Sequence, residues 1–73
     1  MRKLNIGCGA DWRGHPEYEG LDSVDYGQPH VAVFGEDPLP LPDGSVDEIR
    51  CWRILEHVPT ERVLFALNEC YRV

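Results

Sequence analysis

Three prolines at every second position (Pro38, Pro40 and Pro42) and the Asp43-Gly44 pair behind them constrain this chain more than any other segment. Proline fixes φ and removes an N–H donor, while Asp-Gly favours a tight turn. The stretch is therefore a rigid, turn-rich connection that excludes helix. Every regular element must lie on one side of it or the other.

On the N-terminal side the apolar runs are short. Leu4-Asn5-Ile6 stops at Gly7-Cys8-Gly9, the pattern of a buried strand entering a tight turn. A second strand is expected from Glu19 to Val24. The third, Val31-Ala32-Val33-Phe34, is continuously apolar, which suits a strand buried on both faces of a parallel sheet. Beyond the prolines, Val46 to Trp52 reads as a fourth strand interrupted by the charges Arg50 and Arg53. Pro59 closes a turn around Leu55 to Val58, Thr60 can cap the next helix, and Glu61 favours its positive end. Val63, Leu67 and Cys70, with Leu64 and Tyr71 alongside, form the expected helical stripe to the C-terminus. This order predicts an α/β fold with a mostly parallel sheet, and such sheets take ligands at the carboxyl ends of their strands.

Size and composition bound the reading. A chain of 73 residues, one domain at most, has a core worth roughly 3–5 kcal/mol. Its 42% hydrophobic content argues against a disordered tail. No apolar run approaches the ~20 residues of a membrane helix, and no signal-peptide core follows Met1, so a cytoplasmic protein is expected. Three cysteines without a Cys-x-x-Cys pair, and three scattered histidines, give no reason to expect a disulfide framework or a metal site. A net charge of −6 makes no clear nucleic-acid patch.

Three strand ends carry candidate chemistry. Gly7-Cys8-Gly9 admits close backbone approach of a ligand, or is simply a tight turn. Trp12 stands where a dinucleotide fingerprint needs a third small residue, and Asp11 would repel a pyrophosphate, so a nucleoside without phosphates fits better. Asp22, 13 residues beyond Gly9, can accept from both hydroxyls of a ribose, or is a solvated loop acid. Glu36 and Asp37 offer acceptors for an exocyclic amino group, or face solvent before the proline-rich loop. Cys8 lacks a basic neighbour in sequence that would make it a nucleophile, so it reads as a small packing residue. His57 is the one tempting general base, since histidine is the residue type suited to proton transfer near neutral pH, against a structural histidine in a turn. Trp12 and Trp52 stack on a ring or belong to the core.

In combination these residues resemble the class I S-adenosylmethionine-dependent methyltransferases, a Rossmann-like family, and its type 11-like members in particular. Leu4 to Gly9 resembles the family's glycine-rich first motif, and Gly20-Leu21-Asp22-Ser23 its second-strand motif. Leu39-Pro40-Leu41-Pro42-Asp43-Gly44-Ser45-Val46-Asp47 is similar to the stretch leading into strand four, and Ile54-Leu55-Glu56-His57-Val58 to the segment after it. The resemblance implies S-adenosyl-L-methionine as cofactor and methyl transfer to an acceptor the sequence does not identify. It implies cofactor contacts from Gly7, Cys8 and Gly9, ribose binding by Asp22, adenine recognition by Glu36 or Asp37, and packing of Leu39 at the adenine edge. Asn5 stands where many members have an acid, which weakens a water-mediated contact to the methionine part.

By the same resemblance, residues 1–73 form a partial methyltransferase domain, a fragment truncated after the fourth strand and its helix. The exposed edge of that strand is then a place for pairing. Two other readings stand beside it: a non-catalytic remnant or interaction module, and an NAD-binding oxidoreductase fragment.

Overall fold

The computed structural model describes residues 1–52 and 54–73. Among these residues four strands, β1 (Lys3–Ile6), β2 (Glu19–Asp22), β3 (His30–Val31) and β4 (Glu48–Cys51), precede one α-helix, α1 (Val63–Arg72). All pairings are parallel, and the spatial order is β3-β2-β1-β4. This is a small α/β arrangement. Among the described residues no helix is long and apolar enough to cross a membrane.

Register explains the core. Leu4 lies opposite Glu19 and Ile49, and Ile6 opposite Leu21 and Cys51, so these residues share one face of the sheet. Leu4, Ile6 and Leu21 are fully buried there with Ala32, Leu39, Leu41 and Val73. Asn5, Gly20 and Arg50 share the opposite face. The proline-rich segment is non-helical, as its composition requires, and it sends Leu39 and Leu41 into the core. Arg72 holds it to the helix by donating to the carbonyls of Leu39 (2.9 Å) and Leu41 (3.0 Å) and to Asp43 (2.7 Å).

Several expectations need correction. The third strand is only two residues long, and Val31 is 51% exposed, so the apolar run is not buried on both faces. It lies at the sheet edge, and only Ala32 of the run is buried. The Asp37 carboxylate takes the N–H of Val33 (2.8 Å) into a local turn, which competes with further pairing. The fourth strand is shorter than 46–52, because the N–H groups of Val46 and Asp47 go to Val73 and Arg2 instead. Arg50 sits inside it without breaking it, and Arg53 lies outside the described residues.

Thr60 makes no capping bond. It opens a 3-10 turn, Thr60–Arg62, that feeds α1. The expected helical stripe is met in part: Cys70 packs against the core beside the buried Ala66 and Val73, and Val63 is half-buried, whereas Leu64, Leu67 and Tyr71 face out. Trp52 is likewise exposed rather than part of the core.

Candidate functional site

The carboxyl ends of β1 and β2 are joined by their own backbone. The N–H groups of Gly7 and Cys8 both donate to the carbonyl of Leu21, at 2.8 and 3.2 Å. This fold-back requires left-handed backbone, which glycine supplies at Gly7 (φ 74°) and Gly9 (φ 70°). It brings the N–H of Gly9 to Asp22 Oδ2 at 3.0 Å, while Val24 donates to Oδ1 at 3.1 Å. The glycine turn and the acid 13 residues beyond it thus form one unit. Each carboxylate oxygen holds one backbone N–H, and each keeps a further lone pair for a ligand hydroxyl.

Access differs between the two glycines. A Cβ at Gly7 would lie 3.2 Å from Ile54, whereas nothing comes within 4 Å of one at Gly9. Gly9 therefore offers bare backbone to an approaching molecule, and Gly7 serves close packing. Cys8 packs against the opposite side of the turn, and a Cβ at Gly20 would be 2.8 Å from its Sγ. Burial and the nearby Asp22 charge push the Cys8 thiol up, which suits packing and not nucleophilic attack. Asn5, 5% exposed, lies on the face shared with Gly20. Its side-chain amide makes no hydrogen bond to protein among the described residues.

The acids after β3 divide in role. Asp37 accepts the N–H of Val33, while Glu36 is exposed. Arg62 fixes that turn by donating to the carbonyls of Gly35 (2.6 Å) and Glu36 (3.2 Å). Leu39 is placed elsewhere: its side chain is in the core, and its N–H donates to Glu69 (2.7 Å). His57 is exposed, with its Nε2 3.9 Å from a carboxylate oxygen of Glu56.

Two organising residues escape sequence reasoning. Gln28 is buried and ties the loop after Asp22 together, donating to the carbonyls of Val24 and His30 and accepting from Tyr26. Arg62 is the other. A polar residue beside Pro29 and a basic one before a helix are faint signals: Gln28 acts on backbone groups within four residues that no side-chain pattern marks, and Arg62 on carbonyls 26 and 27 residues away.

The strand ends thus offer remaining lone pairs on the Asp22 carboxylate, bare backbone at Gly9 and an exposed carboxylate at Glu36. The surface is open, and among the described residues no pocket encloses it. In comparisons with protein-family models, curated proteins and solved structures, nothing matches this chain.

Proposed function

We propose that this chain is the S-adenosylmethionine-binding half of a Rossmann-like methyltransferase. The observation that carries the reading is the Gly9–Asp22 hydrogen bond. It couples a glycine turn to an acid at adjacent strand ends of a parallel sheet ordered β3-β2-β1-β4, the order of the first half of doubly wound nucleotide-binding sheets. Asp22 accepts from the ribose hydroxyls, Gly9 lets the sugar approach, and Glu36 accepts from the adenine amino group. Asn5 offers its amide toward the methionine part. Bound S-adenosylmethionine supplies an electrophilic methyl for in-line displacement, so the protein's part is to position the two reactants and exclude water. No general base is assigned. The net charge of −6 favours this cationic cofactor over an anionic dinucleotide.

The chief rival is an interaction module without turnover, favoured by the open surface and by Ile54 packed over Gly7. An NAD-binding fragment is disfavoured, since Trp12 fills the place of the third small residue and bonds Tyr26 through its indole N–H (3.1 Å). Calorimetry with S-adenosylmethionine and NAD separates the three. The methyltransferase reading predicts micromolar binding of S-adenosylmethionine, at least tenfold weaker binding in Asp22→Asn, and none of NAD. A folded chain that binds neither supports the interaction module.

A further inference from the structure

The open edge of β4 is self-complementary. Glu48 donates its N–H to the carbonyl of Arg2, toward β1. By the alternation of a strand, the N–H and C=O of Ile49 point the other way, along the edge that no described strand covers. If a second β4 approaches antiparallel with Ile49 opposite Ile49, those two residues can exchange both backbone hydrogen bonds. The same register puts Glu48 opposite Arg50 of the other copy, and Arg50 opposite Glu48. A parallel approach in register would instead place Glu48 beside Glu48 and Arg50 beside Arg50.

The helix extends this surface. Cys70 neighbours Cys51 of β4, and both pack against the core, whereas Glu69 accepts the N–H of Leu39 on the other flank. With about 3.6 residues per turn, Leu67 and Tyr71 adjoin Cys70 and lie away from Glu69. The exposed stripe Leu64 (69% exposed), Leu67 (47%) and Tyr71 (94%) therefore flanks the β4 edge, on the face of the sheet that carries Ile49.

We propose that, in the 73-residue chain, this side of the molecule is an isologous interface with a second copy, whose β4 takes the place that the next strand of a doubly wound sheet holds beside the fourth. β4 pairs antiparallel across a two-fold axis at Ile49, and the two helix stripes cover each other beside it. Both charged residues are available: Glu48 accepts the Tyr18 hydroxyl at one oxygen and keeps the other, and Arg50 lies over the exposed Trp52 ring at 5.8 Å. A closed two-fold contact of this kind satisfies both edges at once and leaves no strand open for further growth there.

Sedimentation equilibrium of the 73-residue chain across a concentration series tests this, with circular dichroism confirming that each variant is folded. The expected result is a dimer that weakens about tenfold in Arg50→Glu and in Glu48→Arg, and returns in the double exchange Glu48→Arg with Arg50→Glu. Tyr71→Lys, at a side chain exposed in the monomer, is also expected to weaken it. A folded wild-type monomer at every concentration overturns the proposal. So does a dimer indifferent to both charge reversals, which would place the contact elsewhere. Neither result depends on whether S-adenosylmethionine binds.

Discussion

Asp22 has two duties, one in the fold and one in the proposed site. Its two oxygens satisfy the N–H groups of Gly9 and Val24 at the point where the chain leaves β1 and β2. Asp22→Ala abandons both donors and is expected to lower unfolding free energy by about 1–2 kcal/mol in urea titrations. Asp22→Asn keeps one acceptor and should lose less, which separates loss of ligand from loss of fold. Gly20 tests the packing beneath the turn. Gly20→Ala drives a methyl to 2.8 Å from Cys8 Sγ and 3.2 Å from Gln28 Cβ, with an expected cost of about 1–3 kcal/mol. In a Cys8→Ala background that cost should fall, and an undiminished cost would mean that the strain lies elsewhere. The glycine turn and Asp22 were readable in the sequence because each is a local pattern at a strand end. Gln28 and Arg62 were not, because their importance rests on the carbonyls they reach.

At the scale of elements, local apolarity identified where strands and helix occur but not which faces they bury. Of the expected stripe Val63, Leu67 and Cys70, with Leu64 and Tyr71 alongside, the core takes Cys70 together with the smaller Ala66 and Val73, and leaves Leu64, Leu67 and Tyr71 exposed. Two apolar arcs on one short helix leave the choice to tertiary packing. The third strand fails for a related reason, since four apolar residues in a row carry no alternation, and the Asp37 turn captures Val33 before β3 can extend. Thr60 has the composition of a cap without the contact. Thr60→Ala should therefore change stability by less than about 0.5 kcal/mol, whereas a loss near 1 kcal/mol would show a capping bond in solution.

Across the whole molecule, the two ends of the sheet differ in character. At the amino end, Arg2 donates to both oxygens of Glu19 (2.7 and 3.0 Å), and His30 Nε2 lies 3.0 Å from the same carboxylate. One carboxylate thus joins the starts of β1, β2 and β3. Chiefly through its hydrogen bond to Arg2, the Glu19 carboxyl is lowered from 4.5 to about 2. Its folded value is depressed, so its contribution is present above about 4.5 and disappears as pH falls toward about 2. The stability difference between wild type and Glu19→Gln should shrink across that window in acid titrations, and a constant difference would contradict the assignment. No local motif announces this cluster, because its members are separated in sequence and meet only through register. The carboxyl end, in contrast, leaves lone pairs on Asp22 and bare backbone at Gly9, the groups proposed to receive S-adenosylmethionine. The most direct test is an amide ¹H–¹⁵N NMR titration of the chain with that molecule. Saturable shifts centred on Gly9 and Val24 are expected, with at least tenfold more ligand needed to reach them in Asp22→Asn. A dispersed, folded spectrum in which those amides stay still at saturating S-adenosylmethionine would contradict the proposal.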